Sequence, residues 1–503
     1  MGRRSCRLLW SICPLVLALR GEQGPVIRTN VQVVEVSIVA TNAKGSPAEG
    51  LKAADFRVWD NGKEQIVTGL EKIRSQAAYV PANLPPDTYS NRFGNAGQPR
   101  VLSMILLDAV NTKGRYQAIG RHAVETILEQ MKPGERVALY AFGSELRVLH
   151  EFSSDKRLLL ARIRAYHGEL TPRDDLLRDY RLPSNLPPPA YQRQIFDHDR
   201  VVNTFAAMEA LANHVKGEPG RKNLVWVSEG FPLLVGGGGF VDHFQKELGR
   251  AMAALNDAGV SVYPIDLSVN GNIGTFRDVA DSTGGKAYYN RNDFDRGVRL
   301  ALDDSREVYW LTYSPDTIAQ DGAYHRIRVQ TTRRGVELRY RLGYYAPGRE
   351  EDSSVVAKDR MTELISSPLD ASGIGIQATV KPAADQIALA IRIDPADPAL
   401  APSAGKWTGA LQLAAMQTGA AGERLGGVNQ AAEINLDQAT YERAREQGLP
   451  FEMKFPRQAA AVAVRIGVVD DRGGNAGSLS VPLPPIPGTG APAVTKVEHA
   501  PPH

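Results

Sequence analysis

The sequence predicts an α/β protein, built on a doubly wound, mostly parallel sheet and flanked by a small N-terminal β unit and a C-terminal β-sandwich. Three observations lead to this fold class. Continuously apolar strands alternate with amphipathic helices between residues 101 and 315, which is typical of a parallel sheet covered on both faces. Residues that alternate in polarity precede this region. Six short strand-like runs follow it.

The 503-residue chain has an ordinary globular composition, with 43% apolar and 23% charged residues. A chain of this length exceeds a single hydrophobic core, so we expect about two to four domains. Its 59 basic and 56 acidic residues leave a net charge of +3, which gives no general polyanion-binding surface. The sequence has no basic stripe with interleaved aromatic residues, which disfavours a nucleic-acid-binding protein.

Residues 1–22 have the features of a signal peptide. Three arginines precede an apolar run from Leu8 to Leu19 that is too short to cross a bilayer comfortably. An uncleaved anchor is the alternative, because the run lacks a clean cleavage motif. Both cysteines lie here, so a processed chain would contain no disulfide and no cysteine nucleophile. No later apolar run has the length of a membrane span, and we expect an exported bacterial protein in the periplasm, the cell envelope or the medium.

Residues 26–73 are predicted to form the small β domain. The runs VQVVEVSIVAT and FRVWDNGKEQIVTGL alternate in polarity. Asn61-Gly62 separates two strand-like runs and indicates a hairpin. The stretch 75–98 is rich in Pro, Asn, Gly and Tyr, and is predicted to be a linker or surface loop.

Residues 98–315 are predicted to form the α/β domain. The expected strands are the apolar runs 101–107, 136–142, 223–228, 260–267 and 307–313. Amphipathic stretches between them, including 117–131, 201–215 and 241–255, are expected to be helices. Open sheets of this kind bind ligands at the carboxyl ends of their strands, so residues that follow the strands are candidates for the functional site.

The remaining residues are predicted to be mainly β-structure. Residues 316–348 are expected to form a β-hairpin extension, and the charged stretch 350–368 a second linker. Six strand-like runs in 369–484, joined by short turns, predict a sandwich of immunoglobulin-like size. The Pro-, Ala- and Gly-rich tail, 485–503, is expected to be disordered.

Polar side chains gather at the ends of several predicted elements of the α/β domain. The run LLDAVNT places Asp108, Asn111 and Thr112 directly after the first strand. Glu229 follows a later strand, and Thr204 lies at the start of the helix that precedes this strand. In a doubly wound sheet these three places meet at one edge.

These motifs resemble those of a von Willebrand factor A (VWA) domain, a Rossmann-like fold, over about residues 98–315. That family holds a divalent ion at a metal-ion-dependent adhesion site. Its first motif is Asp-x-Ser-x-Ser, followed by a Thr from the second loop and an Asp from the third. On this sequence the first motif falls on Asp108-Ala109-Val110-Asn111-Thr112, the Thr on Thr204 and the third acid on Glu229.

Exported bacterial "VWFA-related" proteins of acidobacteria resemble the chain over nearly its full length. The matching runs are DFRVWDNGKEQ, PGRKNLVWVSEGFP, STGGKAYY and LRYRLGYYAP. This resemblance implies the architecture described above, and no defined activity comes with it.

The metal site that the resemblance implies is degenerate. The candidate metal ligands are Asp108, Thr112, Thr204 and Glu229. Val110 stands where the family has a hydroxyl ligand, and its isopropyl group cannot coordinate a cation. Mg²⁺ requires near-octahedral oxygen ligands at about 2.0–2.1 Å, so Mg²⁺ or Mn²⁺ would need a water or the Asn111 amide as a further ligand. The alternative is a structural site without metal, in which Asp108 caps the loop by accepting backbone N–H bonds and Thr204 is a helix N-cap.

The resemblance implies a non-enzymatic protein-binding module, for adhesion or scaffolding, that contacts a protein partner at the metal-site edge. In intact sites of the family, a carboxylate from the partner completes the coordination of the ion. The residues expected at this contact are Asp108, Asn111, Thr204 and Glu229. The alternatives are a metal-independent structural envelope protein and an envelope hydrolase. The hydrolase is disfavoured because the chain has no HExxH or GxSxG motif.

Two further segments are weaker candidates. The predicted loop 167–195 precedes Thr204, and its Arg, Tyr and Pro content suits a protein contact, with disorder as the alternative. The cluster Asp197-His198-Asp199 precedes the predicted helix, where acidic residues favour the helix dipole. Adjacent residues rarely converge on one ion, so this cluster is expected to be structural.

Overall fold

The structure is a computed structural model that describes residues 33–74, 84–93, 102–169, 190–231, 234–237, 240–268, 273–304, 307–315, 323–346, 353–382, 385–403 and 405–485. Three predictions fall on residues outside these ranges: the signal peptide 1–22, most of the tail 485–503, and residues 170–189 of the long loop. The described residues form a mixed α/β structure with several sheets and eight α-helices, as the fold class predicts in outline. No described helix combines the length and apolar character that a membrane crossing needs.

The strands, in chain order, are β1 (Val34–Asn42), β2 (Phe56–Asp60), β3 (Lys63–Gln65), β4 (Val67–Arg74), β5 (Thr88–Ser90), β6 (Leu102–Asp108), β7 (Val137–Phe142), β8 (Leu146–Ser153), β9 (Lys222–Ser228), β10 (Leu234–Gly237), β11 (Phe240–His243), β12 (Val260–Asp266), β13 (Glu307–Tyr313), β14 (Tyr324–Thr331), β15 (Val336–Arg339), β16 (Gly343–Tyr345), β17 (Ile376–Pro382), β18 (Gln386–Ile393), β19 (Ala401–Ser403), β20 (Lys406–Thr418), β21 (Arg424–Leu436), β22 (Leu449–Pro456), β23 (Ala463–Asp470) and β24 (Ala476–Pro482). The α-helices are α1 (Gly114–Glu129), α2 (Lys156–Ala165), α3 (Ala190–Val215), α4 (Gln245–Asp257), α5 (Ile273–Thr283), α6 (Phe294–Asp303), α7 (Ser353–Ser366) and α8 (Gln438–Gln447).

The central sheet has the strand order β12-β9-β6-β7-β8. Strands β12, β9, β6 and β7 run parallel, and the edge strand β8 runs antiparallel to β7. Every residue of the four parallel strands is buried. This explains why they are continuously apolar in the sequence rather than alternating.

Helices pack on both faces of this sheet. Met104 and Leu106 of β6 belong to one apolar cluster, together with residues of α3, α4 and α5. Ile105 and Leu107 belong to another, together with residues of α1, α2 and α6. Successive side chains of a strand point to opposite faces, so the two clusters lie on opposite sides of β6. The predicted alternation of apolar strands with amphipathic helices is confirmed here.

Helix α3 is longer than the sequence predicts. It begins at Ala190, within the predicted loop 167–195, and ends at Val215. Thr204 is therefore inside the helix, and the prediction that it starts the helix or caps its N-terminus is wrong. Its hydroxyl donates instead to the carbonyl oxygen of Arg200, one turn earlier, at 2.7 Å.

The strand β13 does not belong to the central sheet, contrary to the sequence prediction for residues 307–313. It lies between β1 and β4 in the antiparallel sheet β15-β1-β13-β4. Its side chains alternate in burial from Tyr309 to Tyr313, and Leu311 and Tyr313 fill the core of the N-terminal unit. The run EVYWLTY is apolar enough to fit either the central sheet or the antiparallel sheet of the N-terminal unit. Only the strands that pair with β13 show to which sheet it belongs.

The second sheet of the N-terminal unit has the order β16-β14-β2-β3. The predicted hairpin at Asn61-Gly62 is confirmed, because β2 pairs with β3 and both turn residues have positive φ angles of 47° and 83°. The predicted hairpin in 316–348 is only partly correct. Strand β14 pairs with β16 and β2, whereas β15 pairs with β1 in the other sheet.

The C-terminal region contains all six predicted strands, as β17, β18, β20, β22, β23 and β24. They form the sheets β22-β18-β17-β5 and β19-β20-β23-β24, with β21 paired to β20. Both sheets contribute to one apolar cluster, for example Leu389 from the first and Ile466 from the second. Two predicted linkers are wrong in part: 75–98 contains β5, which pairs with β17, and 350–368 contains α7.

Candidate functional site

Three elements bring the predicted site residues together at the carboxyl ends of the parallel strands. Asp108 is the last residue of β6, and Ser228 is the last residue of the neighbouring β9. The chain turns after Asp108 because Ala109 and Val110 both donate backbone N–H bonds to the carbonyl oxygen of Phe142, at 2.7 and 3.1 Å. We call the loop 109–113, Thr204 of α3 and the loop 229–231 the rim.

The carboxylate of Asp108 accepts four hydrogen bonds from the protein. Its Oδ1 accepts the backbone N–H of Asn111 at 3.0 Å. Its Oδ2 accepts Asn111 Nδ2 at 2.8 Å, Trp226 Nε1 at 2.9 Å and Ser228 Oγ at 2.8 Å. The side chain is only 2% exposed. The predicted role of Asp108 in accepting backbone N–H bonds is thus present, along with three side-chain donors.

Burial raises the pKa of Asp108, and the hydrogen bonds from Asn111, Trp226 and Ser228 oppose this rise because they stabilise the ionised form. A buried carboxylate needs such compensation, since an unpaired charge in the interior is strongly destabilising. The four donors therefore explain how this acid is accommodated at the end of an apolar strand.

Asn111 connects Asp108 to helix α3. Its Nδ2 donates to Asp108 Oδ2 and to Thr204 Oγ1, both at 2.8 Å. Asn111 is 5% exposed and Thr204 is fully buried. The amide nitrogen thus lies between two groups that the sequence analysis assigns as metal ligands.

Thr112 and Glu229 form a second connection, between the two rim loops. The backbone N–H of Glu229 donates to Thr112 Oγ1 at 3.3 Å. Glu229 Oε2 accepts the backbone N–H of Lys113 at 2.6 Å. The two predicted ligands are therefore at the rim, where they hold the loops to each other.

The donor set does not fit a divalent cation. A cation binds oxygen lone pairs, whereas the carboxylate of Asp108 already faces four N–H and O–H donors. Val110 is buried in an apolar cluster, where it supplies no ligand. Within the described ranges, no group of three or more His, Cys, Asp or Glu residues has the arrangement of a metal site.

The sequence places Ser228 at the end of its strand without giving it a role at the site, and it gives no role to Trp226. They lie two positions apart on β9, so their side chains point to the same face. The register Leu107–Val227 places this end of β9 beside Asp108. Strand alternation in the run NLVWVS was the signal that could have identified them.

The cluster Asp197-His198-Asp199 lies within helix α3 rather than before it, and residues 170–189 of the predicted loop lie outside the described residues. Asp197 forms an ion pair with Arg200 on the same helix at 3.0 Å. The ring of His198 packs against Phe244, with centroids 5.3 Å apart. These two contacts support the structural interpretation of this cluster.

The chain matches no family model and no curated protein. Solved structures similar to it include an aerotolerance-related membrane protein from Bacteroides fragilis, with 13% identity and a TM-score of 0.26, covering 41% of this chain and 98% of that protein. A von Willebrand factor type A structure from Catenulispora acidiphila has 9% identity and a TM-score of 0.27, covering 59% and 79%. A proximal thread matrix protein of the mussel byssus, with zinc in its metal-ion-dependent adhesion site, has 13% identity and a TM-score of 0.24, covering 42% and 47%. Similarities of this size carry no information on activity, ligands or partners.

Proposed function

We propose that this chain is an exported, non-enzymatic, VWA-type module that binds a protein partner at its rim without a metal ion. In this proposal the α/β region is a doubly wound VWA domain, and the C-terminal sheets form a β-sandwich that serves as a second structural unit. The observation that carries the proposal is the internal saturation of the Asp108 carboxylate by four protein donors.

A saturated carboxylate supports binding rather than chemistry. A general base or a nucleophile activator needs a free acceptor that reaches the substrate. The hydroxyl of Ser228 is also committed, because it donates to Asp108 and accepts the backbone N–H of Gly230 at 2.9 Å. These commitments make the rim a poor hydrolase site and a well-ordered surface.

The order of the rim supports a role in recognition. Gln117 of α1 donates to the carbonyl oxygens of Ala109, Thr112 and Glu169, at 3.3, 2.8 and 2.9 Å. The loop 109–113 is therefore held by hydrogen bonds from Gln117 of α1 and by the hydrogen bond between Lys113 and Glu229. A surface that is ordered before association loses less conformational entropy when a partner binds.

Lys113 gives this surface a charge that is available to a partner. Its side chain is exposed, and only its backbone N–H is used by Glu229. We propose that an acidic face of the partner contacts the exposed side chain of Lys113. Such contacts at an interface rim guide association and specificity.

A capture experiment tests this proposal. The purified full chain is immobilised and exposed to envelope extract from the source bacterium, with Mg²⁺ or with EDTA. We expect a protein that is captured equally in both conditions and lost with Lys113→Glu. The matched control is Lys44→Glu, a charge reversal at an exposed lysine of the N-terminal unit.

Two results would contradict the proposal. Capture that requires Mg²⁺ and disappears with Asp108→Ala would restore a metal-dependent contact. Capture that is unchanged in Lys113→Glu and Asp108→Ala would indicate the structural alternative, in which the β regions make the contacts and the α/β domain is only a scaffold.

A further inference from the structure

We infer that the side-chain amide nitrogen of Asn111 takes the place of the divalent cation, so that the rim is held permanently in one metal-independent state. This inference deepens the proposed function. The geometry around Asp108 is its evidence, and only its importance for partner binding rests on the proposed function.

The position of the nitrogen is the first part of the evidence. Asn111 Nδ2 lies 2.8 Å from Asp108 Oδ2 and 2.8 Å from Thr204 Oγ1. These oxygens come from two different elements, β6 and α3, and the resemblance assigns both of them to the cation. An amide NH₂ group has two donors, so one nitrogen satisfies both oxygens as a shared ion would.

The hydroxyl of Thr204 is oriented to accept. Its proton is donated to the carbonyl oxygen of Arg200 at 2.7 Å. The lone pairs of Oγ1 are therefore left to face Asn111, which supplies an N–H. A threonine that coordinates a cation would present the same lone pairs to the ion. In this protein the amide nitrogen of Asn111 occupies that position instead.

The orientation of the Asn111 amide follows from the same contacts. Reversing the amide would place its Oδ1 at 2.8 Å from Asp108 Oδ2, with two acceptors facing each other and no proton between them. In the observed orientation Oδ1 is buried and has no hydrogen-bond partner among the described residues. An unpaired buried amide oxygen is destabilising, and the two bonds made by Nδ2 offset this cost.

The surroundings exclude a competing ion. Asp108 Oδ2 accepts Trp226 Nε1 and Ser228 Oγ in addition to Asn111 Nδ2. Three donors leave Oδ2 no lone pair for a cation, and Oδ1 already accepts the backbone N–H of Asn111. Val110, at the position of the missing hydroxyl ligand, is 8% exposed and packs in the apolar cluster.

The substitution Asn111→Asp tests the inference because it replaces only the NH₂ group with an oxygen. It turns the donor between Asp108 and Thr204 into an acceptor, so that oxygens alone meet at this point. In EDTA we expect the thermal midpoint of the full chain to fall by on the order of 5 °C. Millimolar Mn²⁺ is expected to restore most of this loss in the variant and to leave the wild-type midpoint unchanged.

Asn223→Asp is the matched control. Asn223 is also fully buried, its Nδ2 donates to the carbonyl oxygen of Ala301 at 2.9 Å, and its Oδ1 also has no partner among the described residues. The same chemical change there should lower the midpoint without rescue by Mn²⁺. Loss without Mn²⁺ rescue in Asn111→Asp as well would overturn the inference.

Titration calorimetry of the wild-type chain with Mn²⁺ provides a second measurement that does not depend on the folding of a variant. We expect no Asp108-dependent heat at millimolar Mn²⁺. Heat that disappears in Asp108→Ala would show that the cation displaces the amide, and the inference would be wrong. Neither measurement uses a partner. Failure of the inference is therefore distinguishable from failure of the proposed function in the capture experiment.

Discussion

At the scale of single residues, the carboxylate of Asp108 faces four neutral hydrogen-bond donors. Hydrogen bonds to an ionised group are stronger than those between neutral groups. Trp226 contributes one of these donors while its ring packs edge-on against Phe276, with centroids 5.0 Å apart. The indole therefore donates a hydrogen bond and packs in the core, and a substitution can remove the first role while keeping much of the second.

Trp226→Phe should remove the donor and keep much of the packing. We expect strands β6 and β9 to open more readily, with a loss of about 2 kcal/mol in their opening free energy, because a buried carboxylate loses one donor. Amide hydrogen exchange of these strands measures this loss. Trp407→Phe is the control, since the Trp407 indole N–H bonds to Gln438 at an exposed site. Equal effects of the two substitutions would refute the role assigned to the Trp226 donor.

At the scale of elements, the end of α3 fastens the α/β region to the C-terminal region. The backbone N–H of Ser372 donates to the carbonyl oxygen of Asn213 at 2.9 Å. The hydroxyl of Ser372 donates to the carbonyl oxygen of His214 at 2.6 Å and accepts the backbone N–H of Gly217 at 2.9 Å. The last turn of α3 and the segment before β17 are therefore joined by one backbone hydrogen bond and by two hydrogen bonds of the Ser372 hydroxyl.

His214 adds a proton-dependent contact at this junction. One ring nitrogen lies 2.6 Å from the carbonyl oxygen of Asp370, and the other lies 3.3 Å from the Glu151 carboxylate. Tyr140, from β7, also directs its hydroxyl at this carboxylate. Both ring partners are acceptors, so the imidazolium form satisfies both. Burial lowers the pKa of His214, but Glu151 and the carbonyl of Asp370 outweigh it, and the net shift is upward.

The junction should weaken as pH rises. A histidine pKa that is higher in the folded chain contributes stability that is complete below the unfolded pKa of about 6.5 and is lost as pH rises through the folded pKa. Thermal midpoints of wild type and His214→Gln are therefore expected to differ most below about pH 6.5 and to converge at higher pH. The exposed His122→Gln is the control for replacing a histidine by glutamine. A constant difference for His214→Gln would contradict an imidazolium contact.

At the scale of the whole molecule, the α/β region is inserted into the N-terminal β unit. Strands β1 to β4 precede it in the chain, and β13 to β16 follow it. Val36 pairs with Leu311, and Val58 pairs with Val329. The N-terminal core is therefore complete only after the α/β region has been synthesised.

This arrangement predicts the behaviour of fragments. Residues 26–73 alone should be unfolded, because their strands lack the partners β13 to β16. Residues 26–74 joined to 307–346 by a flexible linker should fold. Far-UV circular dichroism and amide chemical-shift dispersion distinguish the two outcomes. A folded 26–73 fragment would show that this segment is an independent domain, as the sequence analysis predicts.

The sequence by itself determined the elements whose signal is local. The apolar run before Asp108 predicts a strand buried on both faces, and Asn61-Gly62 predicts a hairpin because its two residues tolerate positive φ. Strand and helix order also predicts that Asp108, Thr204 and Glu229 meet at one edge of the sheet. Each of these conclusions depends on side-chain periodicity or on the conformational range of a few neighbouring residues.

Only the tertiary structure decided which partners these elements have. The apolar pattern of 307–313 gives a buried strand, but its pairing with β1 and β4 depends on residues more than two hundred positions away in the chain. The role of Asn111 is likewise set by Thr204 of α3 and by Trp226 and Ser228 of β9. Periodicity specifies which way a side chain faces, whereas hydrogen-bond donors and acceptors are matched in space, and this matching gives the buried carboxylate of Asp108 its four donors.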